Sequence, residues 1–174
     1  MTDNKVIYLA GGCFWGLEKY LKLIRGVTDT EVGYVNGKIN GPVTYEQVYT
    51  DTTGYAECVK VEYNPEILPL KSLLDFYFMA IDPTLENRQG HDVGTRYRSG
   101  IFHSDNATEE DKETIETAVR ETAERYRKIY VETGRMTSYC PAEEYHQDYL
   151  EKNPGGYCHI RPELYAHVIS KNPR

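Results

Sequence analysis

One cysteine of this chain lies where residue types and spacing could support chemistry. Cys13 stands in the stretch AGGCFWG (residues 10–16), between two glycines and two large aromatic residues, where an apolar strand gives way to a helical pattern. A thiolate is the reactive form of cysteine, and the unpaired N–H groups at a helix start lower the pKa of a thiol from its free value of about 8.5. The position therefore predicts a nucleophile, with a small core residue in a tight turn as the alternative.

A carboxyl group is the second candidate, because strand alternation places it on an apolar face. In the alternating segment 57–63, Glu57 shares a face with Val59 and Val61. Cys58 falls on the opposite face, which we expect to be solvated. A partly desolvated carboxyl has a raised pKa and can serve as a general acid near neutral pH. The alternative is an exposed glutamate at a strand end.

Three further segments carry polar side chains in stretches without regular structure. They are PVTYE with Tyr45, GHDVGTRYR with Asp92 and Tyr97, and NPGGYC with Cys158. Loops held by a rigid scaffold often carry function, and a cysteine in a mobile tail is suited to meet another thiol. Each signal is weak by itself, because polar, glycine-rich loops and surface cysteines are common.

Hydrophobic periodicity and turn residues predict the elements that must position these side chains. The predicted strands are 6–10, 28–35, 57–63, 99–103 and 129–131; the predicted helices are 14–24, 69–81, a long one that begins at Thr108, and a short piece at 142–150. This order predicts an α+β fold, a two-layer sandwich with a ferredoxin-like βαββαβ core. Long functional loops cover 38–54 and 84–95, and an irregular C-terminal tail follows residue 153.

Composition limits the classes of function. A length of 174 residues predicts a single domain over 1–174, with a core at about 5–150 and a mobile tail at about 151–174. The net charge of −7 without a dense basic block argues against nucleic acid as a partner. No apolar run approaches the roughly 20 residues that cross a bilayer, so we expect no membrane association. The absence of an export signal and four cysteines without a disulfide pattern favour a cytoplasmic location. We also expect a monomer.

Taken together, the motifs resemble the peptide methionine sulfoxide reductase A family from about residue 6 to residue 158. GCFWG (12–16) is the most specific of them. The others are TYEQV (44–48), GYAE (54–57), RQGHDVGTRYRS (88–99), PAEEYHQDYL (141–150) and GYC (156–158). Because so many motifs occur in the same order, a purely structural role is a much weaker interpretation of Cys13 and Glu57.

The resemblance implies a function and a set of site residues. Cys13 attacks the sulfur of a methionine-S-sulfoxide, free or in a protein, and Glu57 supplies the proton that the sulfoxide oxygen needs before it can leave. The resemblance also implies several supporting residues. Tyr45 and Tyr97 donate hydrogen bonds to that oxygen, and Asp92 is an orienting residue. Phe14 and Trp15 form the pocket for the S-methyl group. Such an enzyme repairs oxidised proteins.

The resemblance also implies how the enzyme is regenerated. Cys13 remains as a sulfenic acid, which condenses with the thiol of Cys158 to form a disulfide. Thioredoxin or an equivalent dithiol then reduces that disulfide, so no bound cofactor and no metal are expected. Cys140 stands where relatives commonly carry an aromatic residue, and it is either a second resolving thiol or a passive packing residue.

Two other readings of the same residues remain open. Cys13 with His91 or His146 would make a cysteine hydrolase or acyltransferase. Cys140, His146, Cys158 and His159 could form a metal-binding module, although their spacing lacks the paired C-x₂-C pattern of strong zinc sites.

Overall fold

A computed structural model describes residues 3–171 of the protein. Strands are β1 (Lys5–Ala10), β2 (Val27–Val35), β3 (Ala56–Tyr63), β4 (Arg88–Gln89), β5 (Asp92–Val93), β6 (Ser99–His103), β7 (Val131–Arg135) and β8 (Tyr139–Pro141). Helices are α1 (Phe14–Lys22), α2 (Tyr45–Tyr49), α3 (Leu70–Ala80), α4 (Glu109–Arg125), α5 (Tyr149–Lys152) and α6 (Pro162–Lys171). The predicted α+β class is confirmed. Across residues 3–171, no helix has both the length and the apolar character needed to cross a membrane.

A six-stranded mixed sheet forms the centre of the protein, in the order β7-β6-β1-β3-β2-β8. All neighbouring strands run antiparallel except β6 and β7, which are parallel. α1 connects β1 to β2, and α3 connects β3 to β6. Each connection passes over a neighbouring strand, so the helices must lie on a face of the sheet.

The two faces of the sheet are covered differently. On one face, Leu9, Val59 and Val61 pack in a large cluster with apolar residues of α1, α3, α4 and α6. Glu57 lies on this helix-covered face, as strand alternation predicts. The opposite face carries a smaller cluster that includes Cys58.

The prediction that Cys58 is solvated is wrong. Its side chain is fully buried, because Tyr8 and Phe102 pack beside it and Tyr139 covers the cluster. The ring centroids of Tyr8 and Tyr139 are 5.0 Å apart. The covering residue comes from β8, far along the chain, and so lies outside the reach of a local alternation argument.

The C-terminal segment is more regular than the sequence analysis predicts. The irregular-tail prediction is wrong for Pro162–Lys171, which forms α6. Proline suits the first turn of a helix, and Val168 on this helix is fully buried in the main core cluster. Whether residues of this segment move during function stays a prediction.

Two other segments differ from their predicted form. The loop predicted at 38–54 contains α2, which Thr44 begins with a capping box to Gln47. Five residues are too few to show a helical period, so only the cap could have indicated this helix. The last predicted strand begins at Val131 rather than residue 129 and continues to Arg135.

Candidate active site

Cys13 occupies the turn between β1 and α1. Gly12 has φ 75°, a conformation that glycine adopts without strain, and its N–H donates to the carbonyl of Tyr97 at 3.1 Å. Cys13 is the N-cap residue of α1, and it is only 7% exposed. The turn therefore fixes a nearly buried thiol at the start of a helix, next to the segment that carries Tyr97.

The protonation state of this thiol differs from the one predicted. Burial, followed by the nearby carboxyl of Glu57, raises the pKa of Cys13 far above its usual range, and the backbone N–H of Trp15 opposes this only in part. The helix start thus acts in the predicted direction but is outweighed. Cys13 is therefore a thiol rather than a thiolate at neutral pH.

Glu57 is the buried carboxyl beside Cys13. Its side chain is 1% exposed, and Oε1 accepts a hydrogen bond from the backbone N–H of Phe14 at 3.1 Å. Oε2 is equally buried and has no hydrogen-bond partner among residues 3–171. Burial raises the pKa of Glu57 to about 8, although the Phe14 N–H and the cation of Arg96 lower it. The carboxyl is therefore protonated at neutral pH, with one oxygen free.

Two tyrosines predicted for the site also lie near this carboxyl. Burial and then the charge of Glu57 raise the pKa of Tyr45 to about 12, and the same two causes raise the pKa of Tyr97. Both phenols therefore keep their protons at neutral pH. Tyr45 begins α2, and Tyr97 belongs to the short 3-10 turn Thr95–Tyr97, so two separate segments place a phenol within electrostatic range of the same carboxyl.

A buried cation supports the two loops. Arg96 forms an ion pair with Asp51, and its guanidinium lies 4.2 Å from the ring centroid of Tyr49 and 4.4 Å from that of Tyr97. The Nε atom of Arg96 is buried without a hydrogen-bond partner in the described part of the chain. Sequence reasoning missed this residue, because an arginine in a polar loop gives no sign of burial.

Asp92 connects the loop to the C-terminal segment. Its Oδ2 accepts a hydrogen bond from the hydroxyl of Tyr157 at 3.2 Å. Tyr157 immediately precedes Cys158, so this contact helps to hold the segment that carries the second thiol. The charge of Asp92 also acts on Cys13 and Glu57, raising the pKa of each as a smaller contribution than burial.

Phe14 and Trp15 lie in an aromatic group beside the thiol. Phe14 is fully buried, with its ring centroid 5.2 Å from that of His146. The indole of Trp15 donates to Nδ1 of His146 at 3.0 Å and stacks on Tyr149 at 3.7 Å between centroids. Tyr45 contacts His146 at 4.5 Å between centroids. Phe14, Trp15 and Tyr45 therefore all contact the same residue, His146.

His146 and Glu143 have structural roles that the sequence analysis did not assign. His146 is 1% exposed, and burial lowers its pKa, so it is neutral. Glu143 accepts from the hydroxyl of Tyr34 at 2.9 Å and from the backbone N–H of Tyr45 at 3.0 Å. Both residues lie in the PAEEYHQDYL segment, whose polar side chains are the only signal in the sequence that could have identified them.

The four cysteines are free thiols, and they lie in different surroundings. Cys158 lies against the first turn of α1, because a Cβ built on Gly16 would be 2.9 Å from its Sγ. Its Sγ is also 2.9 Å from the hydroxyl of Tyr165. Cys140 lies on the edge strand β8, opposite Tyr34 in the register, and its thiol points to the carbonyl of Val43 at 3.7 Å. Of the two, Cys158 is the one beside the helix that starts at Cys13.

The residues considered for other chemistries are not gathered into one site. Within the described ranges, no group of three or more His, Cys, Asp or Glu side chains is arranged to hold a metal ion. His146 uses Nδ1 to accept from Trp15, and His91 is exposed. No hydrogen bond in the described part of the chain joins either histidine to the thiol of Cys13.

Comparisons with known proteins show which family the chain is similar to. A family model described as peptide methionine sulfoxide reductase matches residues 5–173. A curated relative, the peptide methionine sulfoxide reductase MsrA of Lachnoclostridium phytofermentans, is 51% identical over 90% of this chain and 93% of its own length. The crystal structure of Mxr1 from Saccharomyces cerevisiae in reduced form is 37% identical, covers 91% of this chain and 92% of that chain, and has a TM-score of 0.83. The same yeast protein in complex with Trx2 is 28% identical over 84% of this chain and 85% of that chain, with a TM-score of 0.57.

Proposed function

Because the chain belongs to the peptide methionine sulfoxide reductase family of oxidoreductases, we propose that Cys13 and Glu57 together reduce methionine-S-sulfoxide to methionine. The substrate is a methionine sulfoxide, free or within a protein. Cys13 is the nucleophile that receives the oxygen, and Glu57 is the acid that donates a proton to that oxygen.

The observation that carries this proposal is the free oxygen of Glu57. A buried carboxyl oxygen without a partner is costly unless a ligand satisfies it. A protonated carboxyl whose other oxygen is held by Phe14 N–H can donate from Oε2 to a sulfoxide oxygen. Its pKa of about 8 keeps the proton in place at neutral pH and still permits transfer.

The first step conserves protons. The sulfur of Cys13 attacks the sulfoxide sulfur, the sulfur–oxygen bond of the substrate breaks, and the oxygen finishes on Cys13 as a sulfenic acid. The proton of the thiol ends on that sulfenic acid, and Glu57 is protonated again at the end of the step. Tyr45 and Tyr97 remain protonated and donate hydrogen bonds to the oxygen while charge develops on it. We propose Asp92 as the residue that orients the loop and the incoming Cys158 segment.

Phe14 and Trp15 supply the apolar side of the site. A methyl group carried by the substrate sulfur needs a small pocket without polar partners. The indole of Trp15 is fixed by His146 on one side and by the stack on Tyr149 on the other. We therefore propose that these two aromatic residues bind the S-methyl group and so place the sulfur beside Cys13.

We propose that Cys158 resolves the sulfenic acid by forming a disulfide with Cys13 and releasing water. Thioredoxin or an equivalent dithiol then reduces this disulfide and is itself oxidised. The yeast relative crystallised with thioredoxin Trx2 supports this choice of reductant. The position of Cys140 on an edge strand favours a passive role for its thiol.

Two structural proposals accompany this function. The strand order β6-β1-β3-β2 with helical crossovers supports classing the core as ferredoxin-like. We also propose that the protein acts as a monomer, since one chain contains every residue assigned here.

The test is reduction of racemic N-acetylmethionine sulfoxide to its methionine product, N-acetylmethionine, with dithiothreitol as reductant. We expect the purified protein to consume half of the racemate, the S epimer, and Cys13→Ser to consume none. Cys58→Ser is the matched control, since Cys58 is buried on the opposite face of the sheet. A folded, reduced protein that leaves both epimers unchanged would refute the proposal. A stable acyl adduct on Cys13 with an ester substrate would favour a hydrolase.

A further inference from the structure

Two glycines of the GCFWG motif form an opening in the surface around the start of α1, which we call the glycine notch and define as Gly12 and Gly16. A Cβ built on Gly16 would lie 2.9 Å from Sγ of Cys158 and 3.4 Å from Nδ1 of His159. A Cβ built on Gly12 would lie 2.9 Å from Nε2 of His159. The notch therefore exists only because both positions lack a side chain, and Cys158 and His159 fill it.

The imidazole of His159 lies across the start of α1, against both glycines of the notch. Gly12 and Gly16 flank Cys13 in the sequence, and one ring nitrogen faces each of them. Nδ1 of His159 and Sγ of Cys158 both lie within 3.4 Å of a single point, the place of the absent Gly16 Cβ. The ring is thus beside the thiol of Cys158 and beside the backbone that carries Cys13.

The two ring nitrogens of His159 form no hydrogen bond with the described residues. Both Nδ1 and Nε2 are buried, and neither has a hydrogen-bond partner within residues 3–171. The carbonyl of Gly11 lies close enough to favour the protonated ring, but outside hydrogen-bonding geometry. Burial lowers the pKa of His159 and outweighs this effect and the charge of Asp92, so the ring is neutral and can accept a proton.

We propose that His159 transfers the proton of the disulfide-forming step, from the thiol of Cys158 to the oxygen that leaves Cys13. This inference rests on the proposed function, because it requires a sulfenic acid at Cys13. It assigns an acid–base role to a residue that plays no part in forming that sulfenic acid.

The step balances without any added reagent. His159 takes the thiol proton of Cys158, and the resulting thiolate attacks the sulfur of Cys13. The S–S bond forms while the S–O bond breaks, and the protonated imidazole returns the proton to the departing hydroxide, which leaves as water. The sulfur of Cys13 is reduced, the sulfur of Cys158 is oxidised, and His159 ends as it began.

Tyr165 is placed to assist the same thiol. Its hydroxyl is 2.9 Å from Sγ of Cys158 and donates to the carbonyl of Gly16 at 3.3 Å. While that donation persists, Cys158 can act toward the phenol oxygen only as a donor, and its thiol also reaches the carbonyl of Ile160 at 3.5 Å. Once Cys158 has lost its proton, the same hydroxyl can turn and donate to the thiolate.

The groups that face His159 come from each element around it. Asp92 on β5 acts on His159 through its charge, Tyr157 and Cys158 precede it in its own segment, and Tyr165 on α6 contacts Cys158. Asp92 is the acidic member of this set, and it already accepts from Tyr157. It holds the segment in place, whereas the ring nitrogens of His159 remain free for the thiol.

The experiment follows one turnover with N-acetylmethionine-S-sulfoxide, without reductant, and measures release of its methionine product (N-acetylmethionine) and loss of the two thiols separately. We expect His159→Gln to release about one methionine per chain at the normal rate, and to form the disulfide about 10²-fold more slowly, as for loss of a general base. His167→Gln is the matched control, because His167 is exposed on α6. In His159→Ala, added imidazole is expected to restore much of the lost rate.

The pH profile separates acid–base action from positioning. In the unmodified protein, disulfide formation should stay fast at neutral pH and fall only in acid, where His159 becomes protonated. In His159→Gln it should instead rise steadily with pH, following the fraction of thiolate. Disulfide formation at the normal rate in His159→Gln would overturn the proposal. So would a slower rate with the normal pH profile and no rescue by imidazole. Failure of the unmodified protein to release methionine would overturn the proposed function itself.

Discussion

Phe14 donates its backbone N–H to Oε1 of Glu57 at 3.1 Å, and this bond joins the helix that begins after Cys13 to the third strand of the sheet. The two residues are 43 positions apart in the chain. The bond fixes the carboxyl beside the thiol and turns its second oxygen toward a position without a protein partner. The nucleophile and the proposed acid are therefore positioned by one contact between backbone and side chain.

Glu57→Gln is expected to slow methionine release in a single turnover by about 10² to 10⁴-fold, the usual effect of losing a general acid. Glutamine has nearly the same shape and can still accept from Phe14 N–H, so the fold should persist. The measurement is rapid-quench analysis of methionine formed by excess enzyme.

Glu62→Gln is the control for this substitution, because Glu62 lies on the same strand at its surface end, in contact with Asn4. It should release methionine at the normal rate. If Glu57→Gln also releases methionine at the normal rate, Glu57 does not act as the acid.

The activity should depend on pH through Glu57. The acid form is the active one, and burial raises its pKa to about 8, so kcat/KM is expected to be high at neutral pH and to fall as pH rises through about 8. Deprotonation of Glu57 also adds a negative charge beside Cys13, which further hinders loss of the thiol proton. The fall should be absent from the remaining activity of Glu57→Gln. A rate that rises through this range would mean that thiolate formation, rather than the acid, limits the reaction.

Cys158→Ser is expected to release about one methionine per chain and then to stop when thioredoxin is the reductant. Serine leaves the sulfenic acid of Cys13 without a neighbouring thiol, and thioredoxin would have no disulfide to attack. Cys140→Ser is the comparison, and it should turn over normally. Methionine counted per chain over time distinguishes the two. Continued turnover by Cys158→Ser together with arrest in Cys140→Ser would reverse the assignment of the resolving thiol.

Local patterns in the sequence predicted the elements that carry the two reacting groups. The alternation of Glu57, Val59 and Val61 predicts the buried face of β3 because the side-chain period of a strand is a local property. The prediction of β6 at 99–103 matches Ser99–His103 for the same reason. These segments need no distant residue to define them.

Contacts between distant segments could not be predicted in this way. Trp15 donates to His146 across 131 positions, and nothing near either residue in the sequence indicates the other. Cys58 is buried because Tyr139 arrives from another part of the chain. The thiol pKa of Cys13 depends on how deeply the turn is buried, and a helix start alone predicts the wrong direction. Burial of polar groups is a property of the complete fold.

Gly16→Ala tests whether the glycine notch admits the second thiol. The new methyl group would lie 2.9 Å from Sγ of Cys158, so the C-terminal segment must move away from α1. Alanine favours a helix over glycine by about 1 kcal/mol, so α1 itself should not weaken. We expect methionine release to continue and disulfide formation to slow by at least about tenfold, roughly 1.4 kcal/mol in the barrier. Gly155→Ala is the control, because a Cβ there would meet nothing within 4 Å.

Two charge variants near the active site should shift the pH profile in opposite directions. Burial is the main cause of the raised pKa of Glu57. The charge of Arg96 lowers this pKa, and the charge of Asp51 raises it. Removing the cation in Arg96→Gln should therefore move the alkaline fall of kcat/KM to higher pH. Removing the anion in Asp51→Asn should move it to lower pH, and asparagine tolerates the positive φ of 59° at this position.

The opposite signs make this pair informative, because both substitutions break the same ion pair. A purely structural disturbance would displace the loops in a similar way in both variants and shift the profile in one direction. Arg120→Gln, at an exposed position of α4, is the control for loss of a positive charge. Since the fall in activity reports the ionisation of Glu57, shifts of the same sign in the two variants would mean that another group controls the alkaline limb.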